Sequence, residues 1–111
     1  MKKIKEILKN SNYDDAQFSE EELNQFEDKI YYKDEVPYVQ CIIREKKIKL
    51  TPEETIRQLY LNKLINIYGY PKDRMTLEYP IHFGREVKRA DIVISDINDP
   101  LVPYIIVELK K

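Results

Sequence analysis

TPEETIRQLYLNKLINIYG, residues 51–69, is the stretch on which the fold depends. Thr51 suits an N-cap, and Pro52 suits the first helical position, where its missing N–H is no loss. Glu54, three residues after the cap, is placed to complete a capping box. Ile56, Leu59, Tyr60, Leu64 and Ile67 then recur at helical spacing. Gly69 and Pro71 end the pattern, one as a left-handed cap and the other as a residue that cannot continue a helix.

Three strand signals follow this helix. Leu77, Tyr79, Ile81 and Phe83 alternate with Glu78, Pro80 and His82. Residues 84–88 read as a turn and residues 89–95 as a second strand. Residues 96–103 carry Asn98, Asp99 and two prolines and read as a connection. Residues 104–110 form a third strand, apolar until Glu108, as expected of a central strand covered on both faces. Ahead of the long helix, residues 2–9 predict a short helix, with Ile4, Ile7 and Leu8 on one face. Ser19 and Glu22 predict a second, running to about Asp28 with Leu23 and Phe26 buried. Residues 31–43, broken by Pro37, read as an edge strand or two short strands, and residues 44–49 as strand or turn. The fold class is therefore α/β: a helix followed by a three-stranded mixed sheet, with N-terminal helices. Residues 1–50 form an extension and residues 51–111 the core of one compact domain.

The third strand also carries chemistry. Residues two apart share a face, so Glu108 and Lys110 point together, and Leu109 points the other way with Ile105 and Val107. Asp91 precedes Ile92 and Val93 on the second strand. Pairing of these strands brings the carboxylates of Asp91 and Glu108 within reach of one hard cation. Mg²⁺ fits this donor set. A bound metal polarises a phosphoryl oxygen and acidifies its water, and a lysine offsets the charge that builds there. On a helical wheel Glu53 falls in the middle of the apolar arc, and Glu54 at its edge. Taken singly, each feature has a plainer reading: a solvated strand end, a turn aspartate, an acid favoured by the helix dipole. Their order and spacing together point to a phosphodiester-cleaving site.

The strings TPEETIRQLYLNKLINIYGYPKDRMTLEYPI, KRADIVI and PYIIVELKK resemble the N-terminal nuclease domain of type I restriction enzyme R (HsdR) subunits, in the PD-(D/E)xK superfamily. The resemblance covers residues 31–111 and is strongest from Thr51. It implies a restriction-endonuclease-like core, and a Mg²⁺-dependent (or Mn²⁺-dependent) endonuclease domain that cuts double-stranded DNA. It further implies methyltransferase and specificity subunits as partners, with ATP used only by a translocase elsewhere in the full-length subunit. By position Asp91 and Glu108 match the metal-binding pair, Lys110 the catalytic lysine, and Glu53 the helix glutamate, with Glu54 as its competitor. Ala90 stands where the superfamily name has proline. The family fold continues with a helix bearing a glutamine-containing motif, so the chain is expected to be a fragment, incomplete at its C-terminus. Its last strand would then offer an edge for a homo-oligomer. A nuclease-like module that only binds DNA or a partner is the alternative.

Composition bounds these expectations. The chain has 111 residues, 42% hydrophobic and 35% charged, with a net charge of −1. Such a balance does not advertise nucleic acid, so DNA contact rests on local basic clusters: Arg44, Lys46, Lys47 and Lys49, or Arg85, Lys88 and Arg89. An ordinary charged surface explains these clusters equally well. The lone Cys41 excludes an internal disulfide and fits a reducing cytoplasm. His82 has no second ligand at zinc spacing. No run is long and apolar enough for a membrane span, and no phosphate-binding loop of the ATPase type occurs.

Overall fold

Local capping chemistry sets the helices. In the computed structural model, which describes residues 2–109, α1 spans Lys2–Leu8, α2 Glu20–Glu27 and α3 Pro52–Asn66. Ser19 and Glu22 form the expected reciprocal box on α2: the Glu22 N–H donates to Ser19 Oγ and the Ser19 N–H to Glu22 Oε1, both at 3.1 Å. Thr51 caps α3, its Oγ1 accepting from the Glu54 N–H at 3.1 Å. The other half of that box is not made. The Glu54 carboxylate turns inward to cationic partners, which offer it more than a backbone amide does. Past the helix, Gly69 adopts φ +72°, and the Tyr70 N–H returns to Leu64 O at 3.0 Å.

The strands form two separate three-stranded sheets, β1(Tyr31–Lys33)–β2(Val36–Cys41)–β3(Lys46–Lys49) and β4(Met75–Phe83)–β5(Glu86–Ser95)–β6(Pro103–Val107). The N-terminal one is a complete meander, with two short strands within residues 31–43 and a strand, not a turn, within residues 44–49. Pro37, the second residue of β2, faces Tyr32 of β1 just ahead of the first β2–β3 pair, Tyr38–Lys49, so the strand that carries it is central in its sheet and not an edge. Every pairing is antiparallel, so the expected mixed sheet is not found. The cause is connection length: neither the β4–β5 turn nor residues 96–102 can carry a parallel crossover.

The β4–β5 turn is also shorter than the sequence implies. Phe83 pairs with Glu86, which leaves a two-residue loop of Gly84 and Arg85. Gly84 has φ +61°, as a hairpin turn with glycine first requires, and residues 86–88 are strand rather than turn. β5, not β6, is the central strand. β6 lies at the edge with Tyr104 and Ile106 exposed, so its apolar run does not reflect cover on both faces. Only Ile105 and Val107 pack inward.

Two apolar clusters meet at α3. One gathers Ile4 and Leu8 of α1, Leu23 and Phe26 of α2, Val39 of β2, and Ile56 and Leu59 of α3. The other sets Leu61 of α3 against Met75 of β4, Ile92 and Ile94 of β5, and Cys41 of β2. Tyr60 touches both. The first 50 residues thus share a core with the helix they precede. Among the described residues, no helix is long and apolar enough to cross a membrane.

Burial along α3 departs from the wheel. Glu54, Thr55, Arg57, Gln58 and Leu61 are buried, while Ile67 is exposed. Elements pack on the first turns of the helix from several directions, so no single apolar arc describes them. Polar residues enter because they satisfy one another.

Candidate functional site

The site is built where the first two turns of α3 face the middle of β5. Glu53, Glu54 and Arg57 stand three and four apart and so lie on neighbouring helical positions. Asp91 reaches them from β5. The Arg57 side chain is 5% exposed, and its guanidinium meets four carboxylates: Nη1 lies 2.6 Å from Glu54 Oε1, and Nη2 lies 3.0 Å from Asp91 Oδ1, 3.7 Å from Glu53 Oε1 and 3.8 Å from Glu78 Oε1. Burial alone would lower the Arg57 pKa, but the charges of Glu54 and Asp91 and their hydrogen bonds more than offset this and hold it above its ordinary value. The charged guanidinium is fixed in place.

The acids are not equivalent. Glu54 has a side chain only 10% exposed and is fully used: Oε1 accepts from Arg57, and Oε2 accepts from Gln58 Nε2 at 3.0 Å and lies 3.1 Å from Arg44 Nη1. Glu53 is 49% exposed and, among the described residues, has a single long contact, to Arg57. The wheel had placed Glu53 inside and Glu54 at the edge; the structure reverses them. Glu53 is the glutamate still free to bind something else.

Asp91 is engaged at both oxygens. Oδ1 faces Arg57, and Oδ2 accepts the Leu109 N–H at 2.8 Å. β5 pairs with β6 through Ile92–Val107, so the ladder leads from that pair directly to Asp91 and Glu108. Residue 108 lies one step beyond the last pair of that ladder. Glu108 is exposed and lines a groove with Tyr13, Gln17, Ile56 and Tyr60. Lys110 lies outside the described residues. Glu78 stands across from Asp91 on β4, between the pairs Leu77–Ile92 and Tyr79–Ala90, at φ +53°. A glutamate in that region is strained by about 1–2 kcal/mol.

Arg57, Glu78 and Tyr13 belong to this neighbourhood and were not among the expected site residues. Arg57 had a signal in sequence, since it follows paired glutamates by one helical turn. Strand alternation puts Glu78 on the solvent face, where its half-exposed side chain still reaches Arg57. Tyr13 had none, because it lies in a polar loop far from the helix in sequence. Burial pushes the Tyr13 phenol pKa up, and the charges of Glu53 and Asp91 push it further, against Arg57.

The basic residues divide. Arg85, Lys88 and Arg89 are exposed on the β4–β5 hairpin, with Arg89 Nη1 donating to Glu78 O at 3.2 Å. Arg44 is committed to Glu54, which leaves Lys46, Lys47 and Lys49 as the free members of the other cluster. His82 is exposed on β4, on the polar side of its alternation, and Cys41 is buried.

Asp91, Glu108 and Glu53 supply the oxygen donors a hard cation takes. Among the described residues, however, no three acidic, histidine or cysteine groups converge as ligands on one point. Asp91 and Glu53 converge instead on Arg57, together with Glu54 and Glu78.

A family described as type I restriction enzyme R protein N terminus has a model that matches residues 52–111, just over half of the chain. The match begins at the first residue of α3 and runs through β6. No curated protein and no solved structure matches the chain.

Proposed function

We propose, given that the chain belongs to the family of type I restriction enzyme R protein N termini, that it is the Mg²⁺-dependent endonuclease domain of such a subunit and hydrolyses phosphodiester bonds of double-stranded DNA. The observation that carries this reading is the approach of Asp91 and residues 108–109 to each other, beside the glutamate-bearing start of α3. Asp91, Glu108 and Glu53 would hold the cation, which when bound supplies Lewis acidity toward the phosphate and an acidified water. Glu54 anchors Arg57 and keeps the start of α3 in place. Lys110, two residues beyond Glu108, is assigned to the charge that develops on the phosphate. Arg85, Lys88 and Arg89 would hold DNA phosphates from the hairpin. In this reading β4–β6 and α3 make a restriction-endonuclease-like core, and the methyltransferase and specificity subunits supply the DNA address.

One observation favours a second reading. A guanidinium already sits among the acids and uses the oxygens a cation would need, which suits a nuclease-like module that binds DNA or a partner without cutting. Supercoiled-plasmid cleavage by the assembled restriction complex separates the two. The endonuclease reading expects Mg²⁺-dependent cleavage that Asp91→Ala and Lys110→Ala abolish. Cleavage intact in both variants would sink it.

A further inference from the structure

The β4–β5 hairpin runs on past the body of the protein. Every residue from His82 to Arg89 is exposed, whereas Ala90 next to them is buried. The strands nonetheless stay paired up to the turn, Tyr79 with Ala90, Ile81 with Lys88 and Phe83 with Glu86. Both faces of this ribbon therefore meet water. A two-stranded ribbon gains little stability from its own pairing, and this one also keeps Phe83 and Val87 more than half exposed. An extension of this kind points to contact outside the chain.

The charges on the ribbon are placed in a pattern. Residues 82–89 hold the cations Arg85, Lys88 and Arg89 and one acid, Glu86, in a chain whose net charge is −1. Arg85 and Lys88 make no ion pair with a described residue. Consecutive strand residues alternate, so Lys88 and Arg89 lie on opposite faces. A bilayer or a flat protein surface meets one face of a ribbon; a groove with charged walls meets both. Lys88 and Arg89 stand two and three residues behind Glu86, which pairs with Phe83 at the tip. At about 3.4 Å per residue they are about 7–10 Å back from that pair, close to the depth of about 8.5 Å of the DNA major groove. The groove is about 12 Å wide, and a ribbon with its side chains is about 10 Å thick. Glu86 sits at the tip, away from the level of the phosphates, where a cytosine amino group can donate to it.

We propose that residues 79–90 form an arm that enters the major groove of duplex DNA tip first. Lys88 and Arg89 face the phosphates of opposite walls, and Arg85 reaches a wall from the tip. Phe83 lies against the base edges, where a thymine methyl offers it apolar contact. The proposal rests on duplex DNA as the substrate of this domain, and it needs no metal. The arm leaves the body at Ala90, the residue before Asp91, so a duplex held by it runs beside the acid cluster. Contacts to phosphate position a duplex without fixing its sequence.

Fluorescence anisotropy of a labelled duplex with the full chain, in chelator, reads binding apart from cleavage. Wild type should bind. Arg85→Ala with Lys88→Ala should weaken binding at least about tenfold at ~0.1 M salt. The slope of log K against log salt should fall by about 1.8, or about 0.9 for each lost phosphate contact. Lys46→Ala with Lys47→Ala, an equal loss of charge on β3, should change affinity by no more than about twofold. Both pairs alter exposed side chains, and circular dichroism checks that each variant is folded. Equal losses in the two double variants, or no binding by wild type, overturn the arm. A duplex whose cytosines carry a glucosylated hydroxymethyl group in the major groove should bind more weakly than the plain one, while a minor-groove ligand such as netropsin should not compete. The opposite pattern also overturns the proposal. Binding to phosphatidylserine vesicles and not to the duplex would assign the arm to a membrane surface instead. Plasmid cleavage by the assembled complex keeps the two readings apart. Asp91-dependent cleavage, with equal duplex binding by both double variants, sinks the arm alone. Duplex binding through the arm without any cleavage sinks the endonuclease reading alone.

Discussion

Two adjacent glutamates, Glu53 and Glu54, should respond very differently to the same substitution. Glu54→Ala removes the acceptor for Arg57 Nη1 at 2.6 Å, for Gln58 Nε2 at 3.0 Å, and the partner of Arg44 at 3.1 Å. Breaking a buried ion pair by deleting one partner costs about 3–5 kcal/mol, because the remaining charge stays buried without compensation. Arg57, 5% exposed, fits that case; Arg44, 20% exposed, can turn to water and adds little. A domain of this size loses about 4 °C of melting temperature per kcal/mol, so Glu54→Ala should melt about 12–20 °C lower. Glu53→Ala removes a half-exposed carboxylate whose one contact is 3.7 Å long. Its cost is about 1 kcal/mol at most, from a weak ion pair and the helix dipole. Urea titration followed by circular dichroism measures both, with the slope m checked for constancy. Equal losses in the two variants, or a larger one for Glu53→Ala, would refute the division into an anchoring and a free glutamate. Cleavage by the assembled complex should show the reverse order at temperatures where both variants are folded.

Other outcomes follow from the same geometry. Glu78→Gly relieves a backbone at φ +53° and one like charge beside Asp91, and should stabilise the metal-free protein by up to about 1 kcal/mol in chemical denaturation; a clear loss would show that the strain is not real. Leu61→Ala opens a cavity in the cluster between α3 and β5 and should cost about 2–5 kcal/mol, whereas Ile67→Ala, on an exposed side chain, should cost less than about 1 kcal/mol. The free edge of β6 should pair between copies of the chain at high concentration, giving a mass by light scattering that rises with concentration and that Tyr104→Lys holds at the monomer value.

Much of the local structure was legible because its signals are local. Ser19 with Glu22, Thr51 with Pro52, and Gly69 each act through bonds made within a few residues, and each appears where the sequence places it. The pairing of β5 with β6 was legible too, since strand alternation and a short connection leave few ways to join them. Strand order was not. An apolar run such as Tyr104–Val107 has the same composition whether it is covered on both faces or lies on an edge, and only the identity of its neighbours decides. The glutamates were assigned the wrong way round for a related reason. A helical wheel ranks positions by their apolar company, but Glu54 is buried by cations that come from α3 itself and from Arg44, which no hydropathy count includes. Tyr13 was invisible because nothing in residues 10–18 indicates which helix that loop lies against.

The hydrogen bond from the Leu109 amide to Asp91 Oδ2 also spans a seam. Leu109 packs with the cluster built from α1, α2 and the start of α3, while Asp91 adjoins Ile92, which belongs to the cluster of the C-terminal sheet. The two halves need not open at the same rate or with the same free energy. The acid site exists only while both are closed against each other, so it lasts no longer than the shorter-lived half. Exchange of the Leu109 amide proton with solvent would time that separation directly, and would show how much of any loss of activity on heating precedes unfolding itself.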